Sequence, residues 1–143
     1  MTASSYASRT EVPVDRSQAE IRSLLQRYGA EGFMFGETLD QAQLAFKMKD
    51  RRIVFRLPLP VRAEFTKAGA WEQAMRTKWR SLLLCIKAKL ETVATGIESF
   101  DDAFMAHIML PSGETMSEWA SREENQRSLM SAGQVPLLPA PRA

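Results

Sequence analysis

The chain has 143 residues, 45% hydrophobic and 25% charged, with a formal net charge of +2, the make-up of one globular domain long enough to bury a core. No apolar run approaches the roughly 20 residues of a membrane span, and the opening MTASSYASRTEVPVD lacks the apolar centre of a signal peptide. The single cysteine, Cys85, excludes an intramolecular disulfide and a cysteine-cluster zinc site, so the expectation is a cytoplasmic protein with no membrane partner.

Residues 1–12 are rich in Ser and Thr without periodicity and are expected to be disordered. Ser17 followed by Glu20 reads as a capping box. Ile21, Leu24, Leu25 and Tyr28 follow at helical spacing, and Gly29 is a natural stop, which predicts a helix over 17–28. Three short strand-like runs come next. Gly32 to Gly36 is aromatic and flanked by glycine. Ala42, Leu44, Phe46 and Met48 alternate with Gln43, Ala45 and Lys47, and Ile53, Phe55 and Leu57 alternate with Val54 and Arg56. That is the period of a half-buried strand. The short polar link Lys49-Asp50-Arg51-Arg52 favours an antiparallel hairpin with Leu44, Phe46, Phe55 and Leu57 on one face. Pro58 and Pro60 end the last strand.

Apolar residues then recur at Trp71, Met75, Trp79, Leu82, Ile86, Leu90, Val93 and Ile97, at steps of 4, 4, 3, 4, 4, 3 and 4. This predicts one continuous helix over 71–97, roughly 40 Å long. Neighbouring segments must pack along it, and its surplus length calls for the C-terminal region or a second copy of the chain. Ser99-Phe100-Asp101-Asp102 reads as a cap with an acidic first turn, opening a short helix to about Met109. Pro111-Ser112-Gly113 is a turn, Thr115 to Glu124 a last helix, and Gly133 onward a proline-rich tail containing Pro136-Leu137-Leu138-Pro139. The predicted architecture is a two-layer α+β domain over residues 13–124. In it an α-β-β-β-α order packs a three-stranded antiparallel meander on the long helix, with a C-terminal helical appendix and a flexible tail over 125–143.

The blocks VPVDRSQAEIRSLLQRYGAEGFMFG (12–36), RRIVFRLPLP (51–60) and KWRSLLLCIKAKLETVATGIESFDDAFMAHIMLPSGETMSEW (78–119) together resemble a family of small hypothetical proteins of bacterial phages and prophages. The resemblance spans roughly residues 12–119. It implies a setting, the cytoplasm of an infected or lysogenised bacterium, and brings no catalytic or binding residue with it. The element order is also similar to the double-stranded RNA-binding domain. Where that domain carries a lysine cluster at the start of its final helix, however, Ala70-Trp71-Glu72-Gln73 stands here, and topology alone says little of function.

Charge is distributed unevenly. Residues 47–89 hold twelve basic groups against Asp50, Glu64 and Glu72, whereas residues 90–124 hold Arg122 against eight carboxylates. Such a basic block suits an anionic partner, DNA or RNA, or an acidic block of its own fold or of a second copy. Arg76, Arg80 and Lys87 fall in one helical wedge, and Arg51 and Arg52 sit at the hairpin. These five are the candidate phosphate contacts of a non-enzymatic accessory protein that binds nucleic acid without sequence specificity. The competing bland reading is solvated helix flanks whose arginine stems cover apolar surface.

Chemistry finds less support. His107 is the sole histidine, and Glu98, Asp101 and Asp102 have a capping explanation, so neither catalytic residues, metal ligands nor a cofactor are assigned. Cys85 reads as a packing residue. The alternative function is a protein-binding modulator of a host system, acting through the acidic 91–124 region or the helix surplus. A homodimer is the expected form of self-association.

Overall fold

The computed structural model describes residues 7–130, 138, 141 and 142. Its elements are α1 (Val14–Arg27), β1 (Gly32–Glu37), β2 (Gln41–Met48), β3 (Arg51–Pro58), α2 (Ala70–Ala94), α3 (Phe100–Phe104), α4 (Met116–Ala120) and α5 (Glu123–Met130), with single 3-10 turns at Arg62–Glu64 and Met105–His107. The strands form one antiparallel sheet in the order β1-β2-β3. The α+β architecture expected from the sequence is the one observed.

The β2–β3 hairpin pairs Leu44 with Phe55, Phe46 with Ile53 and Ala42 with Leu57. Leu44, Phe46 and Phe55 are buried, and Leu57 packs half-buried against the same core. A two-residue turn closes the hairpin, Lys49 and Asp50 both adopting positive φ, 53° and 59°. That mirror-image turn matches the right-handed twist of the strands it joins.

Helix α1 starts earlier than its capping signal suggested. Pro13, at φ −60°, stands at the N-cap without any side-chain cap, and its fixed φ is already suited to helix entry. The Ser17 N–H then donates to the Pro13 carbonyl at 3.1 Å, so Ser17 lies inside the first turns and is fully buried. Glu20, freed from capping, turns to Arg80.

Helix α2 stops short of Ile97. Gly96 adopts φ +78°, its N–H donates to the Val93 carbonyl, and the Ile97 N–H donates to Thr92 at 3.0 Å. This double closure is a Schellman motif, which glycine enters without steric cost. Ile97, in phase with the stripe, is left 76% exposed.

Helices α1 and α2 lie side by side and run parallel, Glu20 meeting Arg80 and Tyr28 donating to Glu91 at 3.1 Å. Ile21, Leu24 and Leu25 of α1 and Trp79, Leu82, Leu83, Ile86 and Leu90 of α2 share one core with the inner sheet face. Trp79 meets the Phe35 ring edge-on, at 5.6 Å and 80°, a geometry that adds about 0.5–1.5 kcal/mol beyond area burial.

The apolar surplus of α2 is met within the chain. Near its start, Trp71 donates its indole N–H to the Pro60 carbonyl at 2.9 Å. Ala7 is buried, and Gln73 donates to the carbonyls of Ser8 and Thr10 at 3.2 and 2.8 Å. Part of the stretch read as mobile from its composition is thus laid along the helix; residues 1–6 lie outside the described residues. At the other end Phe104 is fully buried, with the rings of Phe46, Phe55 and Phe100 within 6.4 Å.

Ser99 and Asp102 form the expected capping box, but α3 is short. Ile108 bridges Ile53 instead, and the Met109 N–H donates to the Arg52 carbonyl at 2.8 Å, so the chain leaves the helix to pair with β3. The expected last helix is two, broken at Ser121 and Arg122, and α5 continues to Met130, into the region read as tail. Of the proline-rich segment only Leu138, Pro141 and Arg142 are described, all exposed.

Candidate functional site

Parallel packing of α1 and α2 creates a groove of about 480 Å³ floored by Leu24, Leu83 and Leu84. Arg16 and Arg27 rise from α1, and Arg80 and Lys87 from α2. Positions 16, 20, 23 and 27 recur at steps of 4, 3 and 4, and 80, 84 and 87 at steps of 4 and 3. Each set therefore forms one helical row, and the two rows face each other. Glu20 stands between them, 2.6 Å from Arg80 and 3.4 Å from Arg16. Four cations and one carboxylate line the groove, leaving it at +3. Arg16 to Arg27 spans roughly 16 Å of helix axis, about the axial run of five phosphates on one strand of a duplex.

The five residues singled out from sequence are not gathered in one place. Arg80 and Lys87 share this groove. Arg76, one turn earlier on α2, donates to Gln73 at 2.5 Å and borders a different groove. Arg51 makes a two-point contact with Asp101, Nε to Oδ1 at 3.2 Å and Nη2 to Oδ2 at 3.1 Å, so most of its charge is already answered. Arg52 borders a crevice beside Ile108–Leu110. The flank of α2 and the hairpin tip thus form separate surfaces.

Arg16 and Arg27 went unnoticed because they lie in a stretch of net negative charge, and counting charge by blocks of sequence hid them. The signal was local. Arg16, Glu20, Ser23 and Arg27 repeat along the side of α1 adjoining its apolar row, which is where a second helix packs.

The remaining candidates have structural partners. Asp102 caps α3, Asp101 holds Arg51, and Glu98 accepts a hydrogen bond from Thr92. Among the described residues no three His, Cys, Asp or Glu side chains converge as a metal site would require. Cys85 is exposed. The His107 ring stacks on Phe55 at 3.8 Å and 16°. Burial, and secondarily the Lys89 ammonium, push its pKa below the ordinary histidine value, against an opposing hydrogen bond to the Val54 backbone. Lys89 itself donates to the Ala103 carbonyl at 2.8 Å, so it is spent on holding α3. No helix among the described residues is long and apolar enough to cross a membrane. Compared with known proteins, the chain matches no family model, no curated protein and no solved structure.

Proposed function

We propose that the protein is a non-enzymatic accessory protein that holds nucleic-acid phosphate in the α1–α2 groove without reading base sequence. One observation carries this reading: Arg16, Arg27, Arg80 and Lys87 converge from two helices on one groove with a single carboxylate among them. Phosphate contacts fix position, whereas sequence is read by side chains placed on base edges. The groove is lined by cations and aliphatic carbons, with Ser23 and Glu20 its other polar members, which favours backbone binding. The phage-type resemblance of residues 12–36 and 78–119 supplies the proposed setting, a bacterial cytoplasm.

The test is fluorescence anisotropy with labelled single- and double-stranded oligonucleotides over a salt series. Neutralising about three phosphates gives a slope of log affinity against log salt near −2 for single strands and near −3 for duplex. Reversing Arg80 and Lys87 to Glu should abolish binding. Arg52→Glu, outside the groove, should lower it only through net charge. Absence of binding at low salt, or equal losses from Arg52→Glu and Arg80→Glu, would refute the assignment.

A further inference from the structure

We infer that the free edge of β1 and the groove it leads into form a docking site for an extended, apolar and cationic peptide strand of another protein. This inference is independent of the phosphate groove.

The two edges of the sheet are treated differently. Across the β1–β2 turn the Thr38 N–H donates to the Gln41 carbonyl at 2.8 Å. With the register of Gly32 on Lys47, Met34 on Ala45 and Gly36 on Gln43, this directs the even-numbered backbone groups of β1 toward β2. The N–H and C=O groups of Phe33, Phe35 and Glu37 therefore point outward, and among the described residues no backbone or side-chain group pairs with them. On β3 the corresponding edge is engaged, the Arg52 carbonyl by Met109 and the strand by the antiparallel bridge of Ile53 to Ile108. Natural sheets blunt an open edge with lysine, proline or a bulge. Strand β1, Gly-Phe-Met-Phe-Gly-Glu, has no lysine or proline and pairs without a bulge, and it exposes Met34 at 70%.

The edge also has a direction. Beyond Glu37 and Thr38 it opens into a groove of about 870 Å³, walled by Val14, Leu39, Leu59, Trp71 and Met75. Leu39, at the tip of the turn, is 99% exposed. A strand added to β1 would satisfy the outward backbone groups and run its far end into this apolar space. Strand addition works in this way, with main-chain bonds giving affinity and pockets giving selectivity.

Charge selects the occupant. Glu11, Glu37, Glu72 and Arg76 line the groove; Glu72 is already paired with Arg62 at 3.0 Å, so Glu11 and Glu37 against Arg76 leave it mildly acidic in a protein of net positive charge. Phosphate is disfavoured there and a Lys or Arg side chain is favoured. A second copy fits poorly, because β1 ends in Glu37, follows Glu31 and carries no cation.

The experiment pans a library of randomised peptides against the full chain. Recovered sequences should alternate apolar residues with Lys or Arg. A recovered peptide should slow hydrogen exchange at Phe33, Phe35 and Glu37. N-methylating its alternate amides, which leaves the protein untouched, should weaken it about tenfold or more through lost main-chain bonds. Glu11→Lys and Glu37→Lys, with unchanged circular dichroism, should weaken it likewise. The proposal is overturned if no peptide is recovered, if N-methylation is without effect, or if protection maps to the α1–α2 groove. It is also overturned if the chain alone sediments as a dimer that protects these same amides, since the occupant would then be a second copy.

Discussion

Replacing Trp79 with alanine tests the packing argument most directly. The side chain is 1% exposed, lies in the one core shared by both helices and the sheet, and meets Phe35 edge-on. A buried tryptophan removes roughly 150–250 Å² from water, which at about 25 cal/mol per Å² is some 4–6 kcal/mol gross. Alanine retains a small part of that, and its indole N–H has no acceptor among the described residues, so no hydrogen bond is lost. The expected net cost is about 3–5 kcal/mol, the observed range for large aromatic truncations. That is a large share of a typical stability of 5–15 kcal/mol. Urea unfolding followed by circular dichroism measures it, with Trp119→Ala as the internal comparison. Trp119 is 41% exposed and should cost about 1 kcal/mol or less. Equal midpoints for the two variants, or a Trp79→Ala loss under 1 kcal/mol, would refute the placement of Trp79 at the core.

Asp50→Gly relieves one of the two positive-φ residues in the β2–β3 turn and should stabilise the protein by about 0.5 kcal/mol in the same urea assay; a lowered midpoint would contradict the turn geometry. Because burial depresses the His107 pKa in the fold, the neutral ring is favoured there. Stability is then full above the unfolded value near 6.5 and falls as pH drops from there toward the folded pKa; His107→Gln should flatten that slope. Glu20→Gln releases Arg16 and Arg80 from their shared carboxylate and should raise oligonucleotide affinity about fivefold at low salt, the worth of one unit charge at ~4 Å in water. An unchanged affinity would place the nucleic acid elsewhere.

The sheet was legible because period-2 alternation on both sides of Lys49-Asp50 admits one register without exposing Leu44 or Phe55. The ends of elements were less so. The stripe of α2 runs through Gly96 to Ile97 in perfect phase, and periodicity carries no information on where a left-handed residue closes the helix. Ser17 looked like a cap, but Pro13 had already started the helix, leaving the hydroxyl inside. The basic groove was half legible. Arg80 and Lys87 stood out within a basic block, whereas Arg16 and Arg27 acquire meaning only when α1 lies parallel to α2, a tertiary fact. Nor does alternation reveal which sheet edge stays open, since that depends on Met109 reaching Arg52.

The parallel pairing of α1 and α2 also has a consequence in time. Glu20 and Arg80 are 60 residues apart and Tyr28 and Glu91 are 63 apart, while the meander between them closes through short turns. At a synthesis rate of about 5–20 residues per second, α1 waits several seconds on the nascent chain before the helix that covers Ile21, Leu24 and Leu25 has been made. During that interval the meander can pair, but Arg16 and Arg27 have no facing wall. The groove is therefore among the last features to exist, and a ribosome-bound chain halted before Arg80 would carry half its cations and none of its shape.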